Sequence, residues 1–176
     1  ILMLAVLPMF VFILENFFGV TLPRPLLLEF SPVVQALSEA DGGELKADVI
    51  WNAFVSEYIE VEGPYQLVDY QVHSENDEKE TCQATVQVAE NTVEVKGAGS
   101  GPIDAFINAM VETLNEPLNV VDYQEYALKE GSEAQAICIL ALNDEDGEKY
   151  YGVGISQNTT TAAFKSIIAA INRKWR

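Results

Sequence analysis

A five-residue phrase that returns 53 positions later constrains this chain more than any other feature. Leu67-Val68-Asp69-Tyr70-Gln71 comes back as Val120-Val121-Asp122-Tyr123-Gln124, and self-similarity at a fixed spacing means that one supersecondary unit is built twice. In the first copy an extended segment leads through the acidic run Glu75 to Glu80, expected to be a loop, into the strand Cys82 to Val88. A tight turn at Glu90-Asn91 follows, then the strand Thr92 to Val95, a glycine-rich step, and a helix over Pro102 to Leu114. The second copy offers a strand over Val120 to Ala127, a loop at Glu130-Gly131-Ser132 and a strand over Ala134 to Leu142. An Asp146-Gly147 hairpin turn, a strand over Lys149 to Ile155 and a helix over Thr160 to Ile171 complete it. Each half, about 65–116 and 118–173, is therefore βββα. Three antiparallel strands with one apolar face need a cover, and a helix after the third strand can supply it. The helical stripes agree: Ile103, Phe106, Ile107, Met110 and Leu114 in one half, Ala163, Phe164, Ile167, Ile168 and Ile171 in the other.

Before the repeat the spacing is helical from Leu26 to about Tyr58. Leu27, Phe30, Val33, Val34 and Leu37 form one periodic run, Asp41-Gly42-Gly43 breaks it, and Val49, Ile50, Phe54, Val55 and Tyr58 form a second. The two read as a helical hairpin, with Trp51 assigned to core or interface, closed by Glu62-Gly63-Pro64. The expected fold class is α+β: residues 1–62 as an apolar N-terminal segment and helical linker subdomain, residues 63–176 as a pseudo-symmetric doubled βββα domain. Ile1 to Leu14 is almost pure hydrocarbon, yet it is shorter than the roughly 20 residues needed to span a bilayer. Pro8 interrupts it, no basic residue precedes it and no small-residue cleavage site follows, so no membrane role is expected. The chain begins without Met and is expected to be a piece of something longer.

Charge narrows the function classes. Twenty-seven acidic against ten basic residues give a net charge of −17, which a phosphate backbone would repel, so nucleic acid is not an expected partner. Two cysteines make no disulfide framework and one histidine makes no multi-histidine metal site; a reducing cytoplasm is the default location. His73 reads as a solvated side chain at the start of the acidic loop. Cys82 and Cys138 alternate with small or apolar residues on strands and read as buried, inert thiols. The acidic run Asp144 to Glu148 does not make a calcium loop, because anchoring it on Gly147 puts Leu142 at the first ligand position.

One segment carries binding chemistry. Gly97-Ala98-Gly99-Ser100-Gly101-Pro102-Ile103-Asp104 is no dinucleotide fingerprint, since Pro102 stands where the third glycine belongs. Its glycines permit close approach, Pro102 suits a first helical turn, and the free N–H groups of that turn attract a carboxylate. With Asp104 for an ammonium group and Ile103, Val120 and alanines nearby, the segment describes a pocket for an apolar amino acid. A plain glycine-rich connection is the competing reading.

Several ordered blocks carry a family resemblance. They are Leu-Glu-Asn-Phe-Phe-Gly-Val-Thr-Leu-Pro-Arg (14 to 24), Glu-Phe-Ser-Pro-Val-Val-Gln (29 to 35), Ile-Trp-Asn-Ala-Phe-Val-Ser-Glu-Tyr (50 to 58), Gly-Ser-Gly-Pro-Ile-Asp-Ala-Phe (99 to 106), Val-Asp-Tyr-Gln-Glu-Tyr-Ala (121 to 127) and Tyr-Gly-Val-Gly-Ile-Ser (151 to 156). Together they resemble the C-terminal part of the 2-isopropylmalate synthases, from about Leu14 to Arg173. The resemblance implies a linker's last helices followed by a dimeric regulatory domain that binds L-leucine and inhibits a catalytic (β/α)8 barrel, which condenses acetyl-CoA with 2-oxoisovalerate. The catalytic residues and the divalent metal would belong to that barrel, so this stretch is expected to hold no cofactor and to be inactive alone. Carried over by position, the leucine pocket would be lined by Gly101, Pro102, Ile103, Asp104, Val120, Tyr123, Ala127, Ala134, Ala136 and Ser156. Asp104 departs from the pattern where a small residue can occur, and Ser156 where an aspartate is common; Asp104 would then supply the charge Ser156 lacks. Residues 1–13 also depart, being apolar where the family is polar. An isoleucine-sensing domain of a citramalate-type synthase and a ligand-free dimerisation domain are the alternative readings.

Overall fold

The computed structural model describes residues 2–128 and 134–176; the loop expected at Glu130-Gly131-Ser132 lies outside them. The chain opens with three helices. α1 (Leu2–Phe18) and α2 (Arg24–Ala40) pack side by side, and α3 (Ala47–Phe54) runs on into a π-helical turn, Val55–Ile59. Pro25 sits in the first turn of α2, where its missing N–H costs no helical hydrogen bond. Gly42 and Gly43 end that helix with φ of 71° and 95°, which side-chain-bearing residues rarely adopt. The apolar start, whose hydrocarbon run sets no period in the sequence, is helical. Val6, Phe10, Ile13 and Leu14 fall on one face of α1 and are buried with Leu26, Phe30 and Val34 of α2 and with Ile50, Phe54 and Tyr58. Phe30 holds the centre, with edge-on contacts to Phe10 at 5.7 Å, Phe54 at 5.4 Å and Tyr58 at 5.7 Å. Among the described residues no helix is long and apolar enough to cross a membrane.

The doubled unit follows. β1 (Tyr65–Asn76), β2 (Lys79–Val88) and β3 (Asn91–Gly99) form one antiparallel sheet in sequential order, and α4 (Pro102–Leu114) lies on it. β4 (Asn119–Leu128), β5 (Gln135–Asn143) and β6 (Lys149–Ser156) form the second, covered by α5 (Thr159–Trp175). The fold is α+β with the βββα unit repeated. Two boundaries differ from expectation. The acidic run is not a loop, because β1 continues to Asn76 and β2 begins at Lys79, leaving Asp77-Glu78 as a tight turn; His73 is accordingly a strand residue. The glycine-rich step is partly strand, since Gly97-Ala98-Gly99 extend β3. A Cβ on Gly97 would collide with the backbone of Ala105 and Ala109 in α4, so the glycine lets the helix press onto the sheet.

The repetition reaches local detail. Each first strand carries a β-bulge at the same place, between Leu67 and Asp69 and between Val120 and Asp122. After each bulge the aspartate accepts the N–H of the following tyrosine, Asp69 from Tyr70 at 2.8 Å and Asp122 from Tyr123 at 2.9 Å. Cys82 pairs with Gly97 and Cys138 with Gly154 in the two sheets, so the cysteines are structural counterparts. Both are buried, and burial pushes each thiol up to about 11.

One core lies between the two sheets. It holds Cys82, Ala84, Val86 and Val95 from the first sheet, Ala136, Cys138, Leu140 and Leu142 from the second, and the apolar faces of α4 and α5, with Phe106 and Phe164 stacked at 4.3 Å. The other core joins the helices to the far side of the second sheet through Ile137, Ile139, Ala141, Tyr151 and Val153. β5 is therefore buried on both faces and β2 on one.

Candidate functional site

The pseudo-symmetry creates two comparable places, each where the N-terminus of one unit's helix approaches the first strand of the other unit. At α5 the place is filled. Asn158 caps the helix by accepting the N–H of Thr161 at 3.0 Å. Tyr70, from β1, lays its ring 4.7 Å from Phe164, and its hydroxyl meets Thr161 Oγ1 at 2.6 Å and Asn158 Oδ1 at 3.4 Å.

At α4 the same place is open. The N-cap position holds Gly101, which has no side chain with which to cap. Tyr123, the counterpart of Tyr70, turns its hydroxyl to Glu125 at 2.6 Å instead and remains 42% exposed. Partial burial first, then the bond to the Glu125 carboxylate, raises its pKa. What remains is a pocket of about 440 Å³ lined by Ser100, Gly101, Pro102, Ile103, Asp104 and Val120. The N–H groups of Ile103 and Asp104 lie in the first turn, where no intrahelical acceptor exists. Asp104 reaches back: its Oδ2 accepts the Ser100 N–H at 3.1 Å and lies 3.5 Å from the Ser100 hydroxyl. A negative charge at this position complements the positive end of the helix dipole. The floor is tight, since a Cβ on Gly99 would sit 2.5 Å from Asp104 Oδ2, whereas a Cβ on Gly101 would meet open space.

Of the residues expected at the site, Gly101, Pro102, Ile103, Asp104 and Val120 come together here. Tyr123 lies further along β4, past the bulge. Ala127, Ala136 and Ser156 form a separate group, a single row across the second sheet in which Ala127 pairs with Ala136 and Ala136 with Ser156. That row is seven residues along β4 from Val120, about 20 Å at strand rise. The Ser156 hydroxyl accepts the N–H of Asn158 at 3.2 Å and so belongs to the turn entering α5. Ala134 is exposed and precedes β5. Sequence reasoning left out Ser100, although it lies inside the motif singled out, and Tyr70 and Glu125, whose roles appear only when the halves are superposed. Among the described residues no group of three His, Cys, Asp or Glu side chains is placed to hold a metal ion.

The class defined here is a duplicated βββα module with an apolar pocket at one helix N-terminus. The chain belongs to the LeuA allosteric (dimerisation) domain family, whose model matches residues 44–175. Its similarity to curated proteins runs over nearly its whole length. It is 37% identical over 162 residues to the 2-isopropylmalate synthase of Thermobifida fusca, covering 92% of this chain and 28% of that protein. It is 36% identical over 167 residues to that of Clostridium acetobutylicum, covering 92% and 30%, and 32% identical over 162 residues to that of Rhodospirillum rubrum, covering 91% and 29%. The chain thus spans less than a third of the length of these relatives.

Proposed function

We propose that this chain is the C-terminal regulatory part of a 2-isopropylmalate synthase and that it binds L-leucine for feedback inhibition of the acetyl-CoA plus 2-oxoisovalerate condensation, in the cytoplasm. Residues 1–62 serve as the helical linker and 63–176 as the allosteric domain, attached to a catalytic barrel that carries the divalent metal. The observation that carries this reading is the open pocket at the start of α4. Its first-turn N–H groups are free to receive the carboxylate of an amino acid, Asp104 offers a counter-charge to its ammonium group, and Ile103 and Val120 supply apolar walls. Inhibition requires that leucine bind the inhibited state more tightly than the active one, since equal affinity shifts nothing.

The row Ala127, Ala136 and Ser156 is too far along β4 to touch a leucine seated on Val120 of the same chain. It completes the pocket only when a second copy brings its own row there, which makes the homodimer part of the site. Exposed Val120, Val121 and Tyr123 on β4 provide apolar surface for that contact.

Calorimetric titration of the purified chain tests the reading. L-leucine gives saturable heat and competes better than L-isoleucine or L-valine, and Asp104→Ala weakens binding by about tenfold or more, the scale of a lost charge-assisted hydrogen bond. An isoleucine preference would move the chain to a citramalate-type synthase. Absence of heat from folded dimer with all three amino acids would leave dimerisation alone.

A further inference from the structure

On the face of the second sheet opposite the pocket, polar contacts at the two ends of Tyr151 lead from β4 to the linker helices. On β4, Asp122 follows the bulge at whose other side Val120 lines the pocket. One oxygen of Asp122 holds the N–H of Tyr123, and the other accepts the Tyr151 hydroxyl at 3.2 Å. Tyr151 reaches across the sheet because Ala141, paired with both residues, is small. The Tyr151 carbonyl accepts Arg173 Nη1 at 3.3 Å. From the last turn of α5, the same guanidinium pairs with Glu29 of α2 at 2.8 Å and with Glu57 of the π-helical turn at 3.8 Å, and lies over the Tyr58 ring at 4.4 Å. Tyr58 closes the group by donating to Glu29 at 3.0 Å. The neighbouring Asn172 grips the connection into β1, donating to the carbonyls of Val61 and Tyr65 and accepting the Tyr65 N–H at 2.9 Å.

Two features set the π-helical turn apart. π-turns are rare, recur at functional sites, and differ from α-helix by a register change in the hydrogen-bond ladder. Arg173 holds this one through Glu57 and Tyr58 on one face, while Val55 and Ile59 on the other border an open cleft of about 890 Å³, walled also by Trp51, Ile155 and Ile168. The buried Arg173 Nε has no partner, so the clamp does not use every donor it has. The first unit lacks the chain altogether, since the position matching Tyr151 is Glu94, on the exposed face of β3.

We propose that Asp122, Tyr151 and Arg173 form the linkage by which occupancy of the pocket beside Val120 sets the register of the Val55–Ile59 turn and so the posture of the linker helices. This rests on the pocket being the leucine site. A ligand seated on Val120 bears on the bulge, and a bulge aims the side chain that follows it, here Asp122. Arg173 and Tyr151 act as positioning residues.

Amide hydrogen exchange of the 176-residue chain, with and without saturating L-leucine and with binding heat measured on the same samples, tests this. Wild type shows exchange over Phe54 to Glu60 altered by leucine about fivefold or more, the range of allosteric coupling. In Tyr151→Phe, which deletes only the hydroxyl, leucine still binds, its affinity altered by no more than that factor because coupling is reciprocal, and the effect at Phe54 to Glu60 is lost. Arg173→Lys, which keeps the charge but not the bridging fork, loses it as well and serves if the tyrosine variant is unstable. Leucine bound to wild type without any change over Phe54 to Glu60, or an equal change in both variants, overturns the linkage while leaving the pocket intact. No heat from wild type overturns the pocket reading itself, and the linkage falls with it.

Discussion

The central strands of the two sheets, β2 and β5, are built on one plan and face different surroundings. Their inner rows correspond: Cys82, Ala84 and Val86 against Cys138, Leu140 and Leu142, all buried. Their outer rows do not. Thr81, Gln83, Thr85 and Gln87 face away from the core in β2, where the matching positions of β5 are Ile137, Ile139, Ala141 and Asn143. The first sheet therefore has a polar outer face, and the second is a middle layer between the inter-sheet core and the three helices. Duplication preserved the face that the two units share and left the other free to diverge. The three N-terminal helices dock on the unit whose outer row became apolar, which is also the unit whose first strand borders the open pocket.

The sharpest way to break this comparison is through the glycines beneath the helices. A Cβ on Gly154 would strike the carbonyl of Ala162 and lie 2.8 Å from Ser166 N, as one on Gly97 would strike Ala105 and Ala109. The second sheet is packed on both faces and cannot back away. Gly154→Ala is expected to cost about 3 kcal/mol or more, at the upper end for overpacking, as read from urea unfolding. Gly97→Ala, in a sheet free to shift outward, costs about 1–2 kcal/mol. Equal losses would deny that the outer cover makes the difference. Next in size, Ile139→Ala removes a side chain from the covered outer row and costs about 2–4 kcal/mol, while Gln83→Ala, its counterpart, stays within about 0.5 kcal/mol.

A separate effect, read by pH rather than by substitution, concerns the thiols. Burial holds Cys82 and Cys138 up to about 11, above the value of an unfolded thiol. The folded state thus keeps a proton that the unfolded state releases, so their contribution to stability is complete below about pH 8.5 and is lost as pH rises toward 11. Denaturant midpoints at pH 8 and pH 10.5 read this as a decline. Under native conditions Cys138, beneath two covers, reacts with a thiol reagent more slowly than Cys82, because opening the second sheet requires displacing the helices as well.

Much of this architecture is legible in the chain. The βββα order follows from strand alternation, turn residues and helical stripes, and the pocket segment Gly101 to Asp104 stands out because glycine, proline and an acid cluster where a helix starts. Other features have no local signal. The repeated Val-Asp-Tyr-Gln gives Tyr70 and Tyr123 the same neighbours, yet one fills its site and the other leaves its site open. The decision lies with distant residues, Asn158 against Gly101 as cap, and with Glu125 standing where Val72 stands in the first unit. Helix α1 was not legible because its run is apolar on every side and presents no polar stripe to set a period. Gly97 and Gly99 suggest a loop by composition, but their function is to let α4 lie against the strand, which only the packed structure reveals. The acidic run from Glu75 suggests a solvated loop for the same reason, since composition does not report that strand pairing persists through Asn76 and Lys79.

Of the two pseudo-equivalent helix starts, the one proposed to take leucine is open and the other is closed by the protein's own Tyr70. Backbone NMR of the chain titrated with L-leucine tests it most directly. Saturable shifts of the Ile103 and Asp104 amides and of Val120 are expected, with those of Thr159 to Thr161 beneath Tyr70 much less affected. Shifts centred on Thr159 to Thr161, or none at Ile103 and Asp104 at saturating leucine, would contradict it.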